Sequence, residues 1–136
     1  MHGITQSDPH TKYLENQVLT ASPGRLLVML YDTAIRFAKA AESHMFSGRL
    51  DEKNSNISKV QNALLELMAA LDPNVDAQLA ANLDALYRYM FDRLTEANIS
   101  DDPVPLREVT SILSDLREAW AEAERTQRAG TRSEEH

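Results

Sequence analysis

Apolar residues recur at alternating steps of three and four through four successive segments of this chain, which leaves little freedom in how it folds. The first segment carries Leu27, Leu30, Ala34, Phe37, Ala41 and Met45, and the second Ile57, Val60, Leu64, Leu67 and Leu71. The third carries Leu79, Leu83, Leu86, Met90, Leu94 and Ala97, and the fourth Leu106, Val109, Leu113, Leu116, Trp120 and Ala123. At 3.6 residues per turn each set lines one side of an α-helix, whereas a strand would need a period of two. Turn chemistry marks the boundaries. Ser22-Pro23 pairs a capping hydroxyl with a proline suited to the first helical position, and Asp102-Pro103 repeats the device before the fourth segment. Gly48 suits a helix exit, Asp72-Pro73 stops the second helix because the ring disfavours helical geometry in the residue before it, and Asn98 terminates the third. Short connections join antiparallel neighbours, so the pattern predicts an all-α fold: an antiparallel up-and-down four-helix bundle with a short N-terminal helix or arm at Tyr13–Leu19. Residues 13–126 make up that domain. Residues 1–12 and 127–136 lack apolar periodicity and are read as mobile tails.

Composition narrows the partners. A chain of 136 residues suits one domain burying roughly two-thirds of its unfolded surface. A net charge of -7 argues against nucleic acid and anionic membranes, which call for clustered Lys and Arg. The absence of cysteine excludes disulfides, zinc–thiolate sites and thiol catalysis. No apolar run approaches the roughly 20 residues that span a bilayer, and the residues before Tyr13 are polar, so no membrane insertion and a cytoplasmic location are expected.

Enzyme chemistry finds no foothold. A di-metal bundle needs two Glu-x-x-His pairs, and no Glu here has a His three residues later. His44 is the one histidine inside an expected helix. Phosphotransfer bundles use such a residue, but its place one turn before a helix end reads as a surface or interfacial histidine. There is no nucleophile elbow or glycine-rich phosphate loop. No catalytic residue, metal ligand or cofactor is assigned.

Apolar residues outside the stripes carry more information. Val28, Tyr31 and Ile35 form a second row on the first helix, Leu65 and Met68 widen the second, and Ile112 widens the fourth. Such rows are either a broad core face or the lining of a groove that seats a partner's amphipathic helix. Trp120 reads as closure of the core at one bundle end rather than a partner contact. Of Tyr87 and Tyr89, on different sides of one helix, only one fits the core.

The run Thr20-Ala21-Ser22-Pro23-Gly24-Arg25-Leu26, continuing into Leu30-Tyr31-Asp32, resembles the signature of the flagellar secretion chaperone family FliS. Further segments follow in order: Tyr13-Leu14-Glu15-Asn16-Gln17-Val18 upstream, Lys59-Val60-Gln61-Asn62-Ala63-Leu64 with Glu66-Leu67, Leu86-Tyr87-Arg88-Tyr89-Met90, Arg93-Leu94, Glu96-Ala97-Asn98-Ile99, and Leu116-Arg117 with Trp120. Thr33 stands where the family often has glycine; threonine is the better helix former, so little follows from the change. The resemblance covers about Tyr13 to Trp120. It implies a cytosolic export chaperone that binds the disordered C-terminal region of flagellin, prevents premature polymerisation and delivers it to the flagellar type III export apparatus. Ser22 and Pro23 keep a structural reading despite their place in the signature, and Asp32, Asn62 and Arg93 read as members of a polar packing network. Tyr13, Leu14, Val18, Val28, Tyr31, Ile35, Leu65, Met68 and Ile112 are the residues expected in the client groove or in a lid over it. A self-associating structural or adaptor bundle, including a homodimer, is the competing expectation.

Overall fold

The computed structural model describes the backbone of residues 23–135 and the side chains of residues 23–130. Four helices make up the described residues: α1 Pro23–Phe46, α2 Leu50–Ala69, α3 Ala77–Ser100 and α4 Pro103–Glu135. Each packs on the next and α4 returns to α1, closing an antiparallel ring. The expected bundle is therefore the fold. The arm, the 1–12 tail and the cap Ser22 lie outside the described residues.

Local chemistry sets the turns. Gly48, at φ 72°, is the left-handed exit of α1, and Arg49 N–H donates to the His44 carbonyl at 2.9 Å, which satisfies a terminal acceptor of the helix. The Asp76 carboxylate caps α3 by accepting from Leu79 N–H at 3.0 Å. Asp102 accepts from Val104 N–H at 3.0 Å at the start of α4, beside Pro103 in the first helical position. Two boundaries differ from the sequence reading. α3 runs past Asn98 to Ser100 and turns at Asp101, a non-glycine residue at φ 50°. α4 continues past residue 126 to Glu135, and its residues 125–130 are exposed. Periodicity marks where a helix is buried, not where it ends; helix-forming polar residues and ion pairs such as Arg125–Glu122 carry the backbone beyond the stripe.

The core follows the expected stripe on α2, where Ile57, Val60, Leu64 and Leu67 are fully buried. On α1 the stripe is rotated. Tyr31, Ala34, Ala38 and Ala41 are at zero exposure, while Leu27, Leu30, Phe37 and Met45 flank them half-buried. The alanines let the backbone of α1 approach its neighbours closely, so the small residues take the centre and the large ones the margins. α1 indeed lies closer to α2 and α4 than α3 does. Tyr31, expected as a groove or lid residue, is instead a core residue at 0% exposure, and Val28 is buried with it. On α3 the choice between tyrosines resolves inward for Tyr87 and outward for Tyr89, whose hydroxyl donates to Glu108 at 2.8 Å.

Polar ties tether the helices. Arg117 joins Asp32 across α4 and α1 at 2.8 Å, Arg107 joins Glu42 at 2.6 Å, and Arg93 of α3 joins Glu108 of α4 at 2.8 Å. Hydrogen bonds from Tyr89 and Arg93 hold the Glu108 carboxyl below its usual range. Asp32 and Arg93 thus belong to the expected polar network, whereas Asn62 is exposed and its neighbour Gln61 makes the interhelical bond, donating to Phe91 O at 3.2 Å. One tie is buried. Lys53, 2% exposed near the start of α2, reaches the end of α3, where its ammonium donates to Asn98 O at 3.0 Å and pairs with the Asp101 carboxylate. A cation there complements the carbonyl end of α3, and its attraction for Asp101 helps hold that residue in a left-handed conformation disfavoured for side chains.

At the centre, the Tyr31 and Tyr87 hydroxyls meet at 2.5 Å. Burial raises the pKa of Tyr31 above the ordinary 10.0, and its hydrogen bond to Tyr87 opposes that shift. Burial raises that of Tyr87 as well, reinforced by its hydrogen bond to Tyr31 and by repulsion from that oxygen.

Two outcomes follow. Lys53→Met should cost about 1–3 kcal/mol in denaturant unfolding, because it orphans a buried carbonyl and releases Asp101. Asp101→Gly should cost at least as much, because glycine accepts the positive φ but the buried Lys53 ammonium loses its carboxylate. Because both tyrosines titrate above 10.0 in the folded protein, the stability they contribute is intact below that pH and is lost as pH rises beyond it. Unfolding midpoints of the native chain and a Tyr31→Phe/Tyr87→Phe variant, taken from about pH 8 to pH 11, should show a steeper alkaline decline in the native chain.

Candidate functional site

The end of the bundle opposite Lys53 holds an apolar pocket of about 380 Å³. α1 contributes Pro23, Gly24 and Leu27, α2 contributes Leu67, Ala70 and Leu71, and α3 contributes Leu79, Ala80, Leu83 and Tyr87, with Trp120 of α4 closing one wall. It exists because the helices do not end in register. α2 stops at Ala69 and the chain runs through 70–76 before α3 begins, so the half-buried Leu71 and the exposed Leu79 stand over the core without a further turn to cover them. Val75, 83% exposed, stands at the rim between Asp72 and Asp76. Those carboxylates are engaged locally, Asp72 with Asn74 N–H at 2.9 Å and Asp76 with Leu79 N–H at 3.0 Å. Such a lining suits apolar side chains.

A second hollow of about 340 Å³ lies between α2 and α3, lined by Leu65, Met68 and Phe91 with Arg88 and Asp92 at its polar edge. Arg88 is paired with Asp84 at 2.8 Å. Both hollows open along α3, the helix that packs least closely.

Of the nine residues singled out in the sequence, the six that are described do not share one surface. Leu65, half exposed, and Met68 meet in the second hollow. Ile35 and Ile112 are half-buried against the core from α1 and α4, and Val28 and Tyr31 are inside. Tyr13, Leu14 and Val18 lie outside the described residues. The end pocket was largely missed. Its legible signal was Val75, an apolar residue in an otherwise polar connection, together with Leu71 and Leu79 at the two stripe ends facing each other across it. Trp120, read as core closure, is half-buried against the core and lines the pocket as well.

His44 is half-buried, and its Nδ1 accepts from Arg49 Nε at 3.2 Å, which ties it to the α1–α2 turn. Among the described residues no three His, Cys, Asp or Glu side chains are grouped to hold a metal, and no helix is long and apolar enough to cross a membrane.

Comparison with known proteins matches residues 6–127 to the family model described as flagellar protein FliS. The chain is 38% identical to the flagellar secretion chaperone FliS of Bacillus subtilis strain 168 over 121 residues, 89% of this chain and 90% of that one. It is 36% identical to the FliS of Salmonella typhimurium over 108 residues, 79% of this chain and 80% of that one. A solved structure of a bacterial flagellar chaperone superposes with a TM-score of 0.73 at 16% identity, over 87% of this chain and 99% of that one, and so shares the fold. A four-helix bundle with an open apolar pocket, matched along most of its length to these proteins, places the chain in the FliS family of flagellar secretion chaperones.

Proposed function

We propose that this flagellar secretion chaperone binds the disordered C-terminal segment of flagellin in the cytoplasm, prevents its premature polymerisation and hands it to the flagellar type III export apparatus. The observation that supports this reading is the end pocket: a largely apolar cavity lined by three helix ends and Trp120, whose Asp72 and Asp76 carboxylates are already held by backbone N–H groups. A segment that is disordered when free and amphipathic when bound gains most from such a surface, because the pocket and the α2–α3 hollow replace packing it otherwise finds only with its own kind. Folding onto the bundle releases gross binding energy and loses part of it to ordering, which gives tight capture without nucleotide hydrolysis. Release then falls to the acceptor that competes for the segment.

The pocket is the target we propose for the arm. Val18 stands five residues before Pro23, which is itself on the pocket wall, so Tyr13, Leu14 and Val18 are within reach of the cavity mouth. In the reading advanced here the arm covers the apolar surface of the empty chaperone and the client displaces it. A self-associating adaptor is the other reading, favoured by Phe46, Leu50, Ile99 and Val104, which are exposed at the opposite end of the bundle.

Calorimetric titration with a synthetic flagellin C-terminal peptide should give a stoichiometric complex with a large negative heat-capacity change. Raising salt several-fold should weaken it only modestly, since apolar burial dominates. Absence of binding, with a mass that instead grows with concentration in sedimentation, would replace the chaperone reading by the adaptor. Removing residues 1–18 should strengthen peptide binding or make the free protein aggregate through uncovered apolar surface. If that deletion leaves a soluble, folded bundle that binds more weakly, the arm is a client contact and not a lid.

A further inference from the structure

Most cations of this acidic chain are neutralised where they stand. Every arginine from Arg88 to Arg128 pairs with a carboxylate, and so does the buried Lys53. Arg36, Lys39 and Lys59, all exposed, pair with none among the described residues. They are gathered on one part of the surface, the outer seam between α1 and α2. The Arg36 guanidinium lies 5.3 Å from the centroid of the half-buried Phe37 ring, and the Lys59 ammonium reaches the same ring from α2 at 5.0 Å. Lys39 follows Arg36 by one turn on α1. The two charges on Phe37 therefore lie within about 10 Å of each other, one Debye length at moderate ionic strength, and repel. A ring face attracts a cation but brings no countercharge. Arg107 shows the alternative arrangement, since it sits 5.2 Å from the Phe46 ring and pairs with Glu42 at the same time. Asp32, one turn before Arg36, is held instead by Arg117 of α4.

We infer that this seam is a docking site for an acidic segment of a protein partner, whose carboxylates complete the ion pairs that Arg36, Lys39 and Lys59 lack. Charge complementarity selects the occupant. Carboxylates two to four residues apart on a peptide match the separation of the two cations, either along an extended chain or across one turn of helix. Phe37 holds both cations against the bundle, so less side-chain freedom is lost when a partner arrives. The net charge of -7 decides against a longer polyanion. Nucleic acid or an anionic bilayer meets the repulsion of the whole chain, whereas a short segment feels mainly the charges within a Debye length. Neither Phe37 nor any of the three cations lines an apolar hollow, so docking on the seam leaves both hollows free.

The test uses the full chain and a fluorescent synthetic peptide carrying three glutamates separated by pairs of alanines, titrated at low salt by anisotropy. Arg36→Glu or Lys59→Glu should weaken binding by roughly tenfold. Arg125→Glu changes the net charge equally at an exposed site on α4 and should alter affinity by less than about twofold. All three substituted residues are exposed, so far-UV circular dichroism should match that of the native chain. Equal losses in Arg36→Glu and Arg125→Glu, or a peptide that does not bind the native chain at low salt, would overturn the inference. Binding of phosphatidylserine vesicles in place of the peptide, lost in Arg36→Glu and Lys59→Glu, would make the seam a lipid surface and overturn it as well. A mass that grows with concentration in the native chain and not in Lys59→Glu would do the same, with a second copy as the occupant.

Discussion

The close approach of α1 to its two neighbours is the constraint from which the other features follow. Ala34, Ala38 and Ala41 present backbone and methyl groups where a larger side chain would hold the helices apart, and their burial is complete. α2 and α4 settle against this face, and α3, whose inward residues are Leu83, Tyr87, Met90 and Leu94, closes the ring at a greater distance. A bundle packed tightly on one side and loosely on the other keeps a well-filled core and still leaves hollows. Both apolar hollows described above border α3. The same asymmetry that stabilises the fold therefore leaves apolar surface open beside α3.

Charge contributes register more than energy. The ties at Asp32–Arg117, Glu42–Arg107 and Glu108–Arg93 sit at partly solvated positions, where an ion pair is worth at most about 1 kcal/mol. Each nevertheless links two different helices and penalises a one-turn slip between them. Lys53 is a different case, because it is buried and its ammonium satisfies a backbone carbonyl as well as a carboxylate. It pins the turn between α3 and α4 at the end of the bundle remote from the pocket. One end is thus held by a desolvated polar contact while the other stays apolar and open.

Helix number, order and sidedness were legible because burial imposes a 3.6-residue period on a linear string, and Gly48, Asp72-Pro73 and Asp102-Pro103 punctuate it with turn chemistry that acts locally. Family membership was legible as well, since several motifs recur in order from Tyr13 to Trp120. The site was less legible. Tyr31 stood in a row that fitted either a core or a groove, and periodicity gives alanine little weight, so the true centre of the α1 face was displaced by one step. The run of α4 beyond residue 126 was missed for the converse reason: propensity and charge pairs hold a helix that no apolar stripe announces.

Sequence alone determined that four amphipathic helices would bury one side each, because the apolar period and the turn residues act within a few positions of one another. Only the tertiary structure decided which apolar residues became core and which became surface. That choice depends on how near two helices come, and Ala38 or Val75 sets it through neighbours far along the chain. It also brought the Tyr31 and Tyr87 hydroxyls together in the core, a contact across 56 positions that no local pattern encodes. The pocket exists for the same reason, since its walls are helix ends that meet only after the bundle has closed.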